Sequence, residues 1–342
     1  MADAEKFAWS FLIHLGTNMW EDVPRPPAPP NGWPEYLKGE MLERAKLNRK
    51  LSGAKDFLNC DEATWRRTVD EVAAQGLNQL VVDIGEGVVY PSHPELAVKG
   101  SWSVGKLRRE LARLRAAGIE PVPKLNFSTC HDRWLGEYGR MVSTAEYYRV
   151  AADLIRDVCE IFDRPRLFHI GFDEEDFAHQ KFYGYAAVRQ GELWWHDLLY
   201  IVKEVERNGS RAWMWADKIW HDHEGFVRRM PKSVLMSNWY YLLDFDPPKT
   251  SALYPMVHAY EWLERAGFDQ VPTSSSCTRY STDSRSAAAT AEYAKKNIAP
   301  GQLKGILQTS WAYTLPREEK VIIESIRQLG AVKRSWQEAV FA

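Results

Sequence analysis

The chain has 342 residues, 45% hydrophobic and 26% charged, which is room for one large barrel or two ordinary domains. Its 44 basic and 46 acidic residues leave a net charge of -2, so charge argues for neither a nucleic-acid partner nor an anionic membrane surface. No apolar run reaches the roughly 20 residues that span a bilayer. Four scattered cysteines (Cys60, Cys130, Cys159 and Cys277) form no CxxC pair, so they read as buried or incidental thiols and not as a disulfide framework or zinc site. Met1 to Lys6 carries no basic or apolar leader pattern. The chain as written is expected in the cytoplasm, or outside it if an export signal has been removed.

Strand-like apolar runs then alternate with amphipathic helical windows. Phe7 to Leu15 is a strand, and Asp61 to Gln75 a helix with Asp61 as N-cap and Gly76 as stop. Leu77 to Ile84 is a second strand, Val104 to Ala117 a helix, Ile119 to Phe127 a third strand and Thr144 to Phe162 a helix. A fourth strand starts at Leu167, with a helix from Glu192 to Arg207. Arg211 to Ala216 and Val234 to Tyr241 are strands five and six, followed by a helix from Met256 to Arg265. A weak seventh strand lies near Gln270 to Ser274. A helix from Arg285 to Lys296, a strand from Leu303 to Trp311 and a helix from Glu318 to Leu329 complete the pattern. Eight such units predict an α/β chain folded as a single (β/α)8 TIM barrel. An insertion at about 19–60 carries the extended, Pro-rich segment Pro24 to Pro34. It would emerge at the catalytic face, either walling the cleft with Trp20, Trp33 and Tyr36 or forming a stiff surface loop.

The fourth strand is the most informative. Leu167-Phe168-His169-Ile170-Gly171-Phe172 leads into four consecutive acids, Asp173 to Asp176. A run of charge is ordinarily a solvated face. A buried parallel strand that ends in carboxylates, however, delivers them to the open end of a barrel, where barrel enzymes keep their chemistry. The other strands bring His14, Asp83, Glu86, Asn126, His131, Trp213, Trp215, Asp217, Asn238, Trp239, Tyr240, Tyr241 and Trp311 to that end. Acids among indole and phenol rings suit a carbohydrate, whose apolar ring face stacks on Trp while its hydroxyls meet Asp, Asn and His. Glycosidic cleavage needs one proton-bearing carboxyl and a second group to stabilise an oxocarbenium-like centre. Adjacent Asp173 and Glu174 disfavour joint ionisation. Consecutive strand residues face opposite ways, so both reach the substrate only if the strand has ended, which Gly171 permits. Metal catalysis is the weaker reading: there is no HExxH, and His221-Asp222-His223 lies in a polar loop. No cofactor is expected.

These motifs resemble the catalytic barrel of family 20 glycoside hydrolases, the β-N-acetylhexosaminidases. The family's fourth-strand His-x-Gly-Gly-Asp-Glu stands here as His169-Ile170-Gly171-Phe172-Asp173-Glu174. Pro123 to Phe127 with His131 is similar to the third strand and its Pro-Gly-His loop, Trp215-Ala216-Asp217 to the Trp-x-Glu of strand five, and Gly305 to Trp311 to strand eight. The resemblance spans roughly Phe7 to Trp311, and only the fourth-strand motif is specific by itself. It implies a substrate-assisted retaining mechanism, with Glu174 as general acid/base and Asp173 orienting the substrate's acetamido N–H. A tyrosine, Tyr240 or Tyr241, would donate to the acetamido oxygen. Substrate contacts would come from His131, His169, Trp215, Asp217, Trp239 and Trp311. Departures are Phe172, a bulky residue beside the acid where the family has Gly, a missing strand-one Arg, and Thr129-Cys130 in place of Pro-Gly. Two rival readings are a two-carboxylate glycosidase pairing Glu174 with Asp217, Glu86 or Glu175, and a carbohydrate-binding barrel without turnover.

Overall fold

The computed structural model describes residues 6–341 apart from 20, 22–25, 27, 30, 36, 182 and 277–284. Trp20, Tyr36 and Cys277 therefore lie outside the described residues, as does part of the Pro-rich segment. Eight parallel strands run β1 Ala8–His14, β2 Gln79–Asp83, β3 Glu120–Lys124, β4 Leu167–His169, β5 Arg211–Trp215, β6 Leu235–Ser237, β7 Thr273–Ser275 and β8 Gly305–Thr309. Their order is β6-β5-β4-β3-β2-β1-β8-β7. Parallel bridges Met236 to Gln270 and Trp239 to Thr273 join the two ends of that order, so the sheet closes on itself. This is a (β/α)8 barrel.

The strands are buried on both faces, which explains their near-continuous apolar sequence. Phe11, Ile13, Leu80, Val82 and Phe168 face outward into the helix-packed core. Leu12, Val81, Val122, Leu167, Trp213, Leu235 and Leu307 fill the interior as a separate cluster. Below that layer Ser10 donates to Gln79 at 2.5 Å, and Gln79 donates to Glu120 at 2.9 Å.

The outer helices are α1 Gly39–Leu51, α2 Glu62–Ala74, α3 Val104–Ala116, α4 Ala145–Ile161, α5 Gly191–Arg207, α6 His223–Arg229, α7 Tyr254–Arg265, α8 Ser286–Asn297 and α9 Glu319–Phe341. Local chemistry sets their ends. Asp61 accepts from the Thr64 amide at 2.7 Å to cap α2, whose Trp65, Val69 and Val72 are buried. Two helices were not expected. α1 lies inside the insertion, and α6 lies where a polar loop was predicted: Asp222 caps it and His223 stacks on Trp262 at 4.5 Å. Among the described residues no helix is long and apolar enough to cross a membrane.

Candidate active site

β4 pairs for only three residues, and the turn at its C-terminal end builds the site. Ile170 still donates to the Trp213 carbonyl at 2.8 Å, and then the backbone turns left-handed at Gly171 (φ 72°), Phe172 (φ 71°) and Glu174 (φ 56°). Gly171 is obligatory, because a Cβ there would stand 1.9 Å from Asn126 Oδ1. Phe172 adopts the same region with a side chain, a strain of about 1–2 kcal/mol. Burial offsets it: the ring meets Trp194 edge-on with centroids 5.8 Å apart, and the Arg189 guanidinium lies 4.8 Å over its face. Phe172 thus packs outward against α5, which corrects the expectation of a bulky group beside the acid.

The same turn removes strand alternation and brings Asp173 and Glu174 together on one histidine. His131 Nε2 lies 3.2 Å from Asp173 Oδ2 and 3.3 Å from Glu174 Oε2. Burial alone would strip the proton from His131, but Asp173 and Glu174 overrule it and push its pKa up to about 10. Burial likewise opposes the charge on Asp173. His131, and a 2.8 Å hydrogen bond donated by Asn126 Nδ2, still hold its carboxyl well below the usual carboxylate range. His131, Asp173 and Glu174 place their ligand-type atoms within 4.8 Å of one another, a spacing that also suits a cation. The proton on His131 already supplies that positive charge, and no metal is assigned.

Glu174 is the open member, its side chain 30% exposed against 12% for Asp173. Its outer oxygen lies 3.6 Å from His179 Nε2, whose other nitrogen meets Asp176 at 2.8 Å. Its backbone N–H donates to Asp217 Oδ2 at 3.0 Å. Asp217 is buried, and burial followed by the charges of Asp173 and Glu174 raises its pKa to about 8. Its Oδ1 has no hydrogen-bond partner among the described residues.

The two other acids considered as partners for Glu174 are committed elsewhere. Glu175 receives Arg189 Nε at 2.8 Å and Nη2 at 2.6 Å, and Arg189 also reaches Asp197 at 3.0 Å. Glu86 accepts the amides of Thr17 and Asn18 at 2.8 and 3.1 Å and so pins the loop after β1. Both Glu175 oxygens are taken, which corrects it from candidate base to structural acid, while Glu86 is buried beside the β1 loop with its pKa pushed up to about 7 by that burial.

Rings close the mouth. Trp311 lies 6.0 Å from Trp215, and its Nε1 donates to the Tyr241 hydroxyl at 3.2 Å. Trp239 stacks on Tyr241 at 5.3 Å. Tyr240 points the opposite way: its hydroxyl donates to the Asp244 carbonyl at 2.7 Å and its ring packs on Phe245. Of the two tyrosines, only Tyr241 faces the acids. His169 sits below the mouth with its ring 4.4 Å from Trp215, and its Nδ1 accepts from the Gly171 amide. Burial and the charge of Lys124 keep it neutral. Its Nε2 has no partner among the described residues. Deeper still, Asp83 is ion-paired with Lys124 and lies 3.5 Å from His14. Sequence reasoning assigned no role to Lys124 or His179; a lysine in an otherwise apolar strand was the signal for the first.

No family model matches the sequence, and no curated protein matches it. Solved structures do match in fold. The N-acetyl-β-hexosaminidase of Streptomyces plicatus is 11% identical, with 96% of this chain and 64% of that chain covered, at a TM-score of 0.56. The chitobiase of Flavobacterium johnsoniae is 16% identical over 82% of this chain and 50% of that one, at 0.54. Dispersin B is 17% identical over 80% and 94%, also at 0.54. The chain thus spans half to two thirds of the length of the first two. The likeness is one of fold: this chain shares the barrel of these three proteins.

Proposed function

We propose that this barrel is a glycoside hydrolase of the family 20 type, removing a terminal β-linked N-acetylhexosamine with retention of configuration. One observation carries the reading. A left-handed turn after β4 places two consecutive carboxyls on one histidine, the first buried and ionised, the second open to solvent.

That asymmetry divides the chemistry between them. Glu174, at the open edge, gives its proton to the departing glycosidic oxygen. The substrate's acetamido oxygen attacks C1 from the other side as that bond breaks, forming an oxazolinium ring. Asp173 accepts the acetamido N–H, which makes the carbonyl oxygen more nucleophilic and balances the positive charge that develops. Tyr241 already receives the Trp311 indole N–H, so its own O–H is free to donate to the acetamido oxygen. Water then opens the ring, losing a proton to Glu174, and the enzyme returns to its starting state. No cofactor enters any step. Trp239 and Trp311, backed by the buried Trp215 of the interior cluster, supply the apolar face on which the sugar ring packs.

Of the second acids open to the two-carboxylate rival, Glu175 is taken up by Arg189, Glu86 is bound by the loop after β1, and burial beside two carboxyls holds Asp217 protonated near neutral pH. A panel of aryl β-glycosides with and without the 2-acetamido group tests the choice. Cleavage of N-acetylglucosaminide or N-acetylgalactosaminide, with plain glucoside and galactoside inert, is expected. Equal cleavage of the plain sugars contradicts it, and binding of sugars without cleavage of any favours the non-catalytic barrel.

A further inference from the structure

We propose that Asp217 acts as a neutral positioning residue, whose carboxyl oxygen holds Glu174 in its working backbone conformation and whose ionisation shuts the site down in alkali. The inference rests on the reading of Glu174 as acid/base. Glu174 has a left-handed backbone (φ 56°), a region that a residue with a side chain keeps only when its surroundings hold it there. The hydrogen bond from its N–H to Asp217 Oδ2, at 3.0 Å, is such a hold.

The remaining geometry says in which form Asp217 does this. It opens a short helical turn, Asp217–Trp220, directly after β5, and it is buried. Oδ1 has no partner among the described residues, so an ionised carboxylate would bury an unsolvated charge. The charged groups gathered there are Asp173 and Glu174 from the β4 end, with His131 from the β3 loop between them, Lys124 of β3 acting on Asp173 and His179 lying 3.6 Å from Glu174. Lys218, next in the chain, lies over the Trp194 ring at 5.1 Å and so extends toward α5. Tyr241, from the end of β6, has its pKa raised by burial and by the same two acids, so it stays protonated. A proton on Asp217 is thus the least costly state, consistent with its pKa of about 8. Losing it places a further negative charge in the buried space beside Asp173 and Glu174. Repulsion between that charge and the two neighbouring acids then works against the compact arrangement that holds Glu174.

Asparagine is a mimic of the neutral acid: it keeps an oxygen for the Glu174 amide and cannot ionise. Asp217→Asn should lose no more than about fivefold in kcat/KM at pH 6, and its alkaline limb should move up by roughly one unit or more from the wild-type position. Asp217→Leu removes the acceptor and should lose about 10²-fold at every pH, as misplacement of a reacting group does. The backbone amide resonance of Glu174 in 15N-labelled protein gives a readout that needs no turnover. It should titrate near pH 8 in the wild type and stay flat in Asp217→Asn. An Asp217→Asn enzyme as inactive as Glu174→Gln would overturn the proposal by making the carboxylate itself reactive. So would an unmoved alkaline limb, or an amide that does not titrate in the wild type. If no glycoside is cleaved at all, the proposed function fails while the amide titration still decides the role of Asp217.

Discussion

Glu174 and Glu175 are neighbours of the same chemistry, yet their side chains leave the end of β4 in different directions. Glu174 faces the mouth, shares His131 with Asp173, and keeps an oxygen open to solvent. Glu175 faces outward and is closed by three Arg189 nitrogens, the backbone N–H, Nε and Nη2, while Asp197 holds the far end of the same guanidinium. The left-handed residue that separates their directions is Glu174 itself. A carboxylate with every lone pair engaged can only support structure, whereas one with an open oxygen can exchange a proton. The difference between the two glutamates lies in their partners and not in their type.

That division can be broken by mutation. The largest effect is expected from Glu174→Gln, which cannot donate to the leaving oxygen. Activity on an unactivated substrate should fall by about 10²–10⁴-fold, with the melting temperature nearly unchanged. An unaltered kcat would remove Glu174 from the mechanism. The reverse pattern is expected of Glu175→Ala. Leaving Arg189 with one carboxylate partner should cost about 3 kcal/mol or somewhat more, read as a lower denaturant midpoint, with little loss in kcat per folded molecule. A large kcat loss at full stability would show that the outer acid takes part in the reaction.

The pH dependence of stability sharpens the same contrast. His131 has a folded-state pKa raised from 6.5 to about 10, so its contribution is complete below pH 6.5, declines above it, and is gone beyond about 10. Melting temperatures of the wild type should fall across that window. His131→Gln should start lower in acid and lose that part of the slope, and parallel curves for the two proteins would mean that His131 is not charged. The smallest effect is expected at Phe172. Phe172→Gly relieves a strain of about 1–2 kcal/mol but removes a buried ring worth about 3–5 kcal/mol, so the net loss should be roughly 2 kcal/mol. A stabilised variant would show that the turn and not the ring dominates.

Much of this arrangement was legible in the chain. Parallel strands buried on both faces leave continuous apolar runs, so the barrel and the place where β4 delivers its acids could be read from pattern. Side-chain direction past the end of a strand could not. Period-two alternation says that one of Tyr240 and Tyr241 faces in, without saying which. The turn at Phe172 was hidden because a phenylalanine does not advertise a positive φ. Glu86 and Glu175 read as candidate bases because their partners lie far along the chain or in the backbone: Thr17 and Asn18 for one, Arg189 for the other. Helix α1 was missed because the prolines before it dominate the local signal. Lys124 and His179 acquire meaning only through Asp83 and Glu174, which the fold, not the sequence order, puts beside them.

The central claim is that the substrate's own acetamido group is the nucleophile, with Asp173 and Tyr241 around it. A thiazoline derived from an N-acetylhexosamine, which copies the cyclic intermediate, tests this most directly in a competition assay against an aryl substrate. It is predicted to bind at least about 10²-fold more tightly than the parent N-acetyl sugar, as mimics of high-energy states do, and Asp173→Asn should erase most of that advantage. Thiazoline binding no tighter than the parent sugar, alongside measurable cleavage of plain glucosides, would contradict the claim and return the reaction to Glu174 and a second carboxylate.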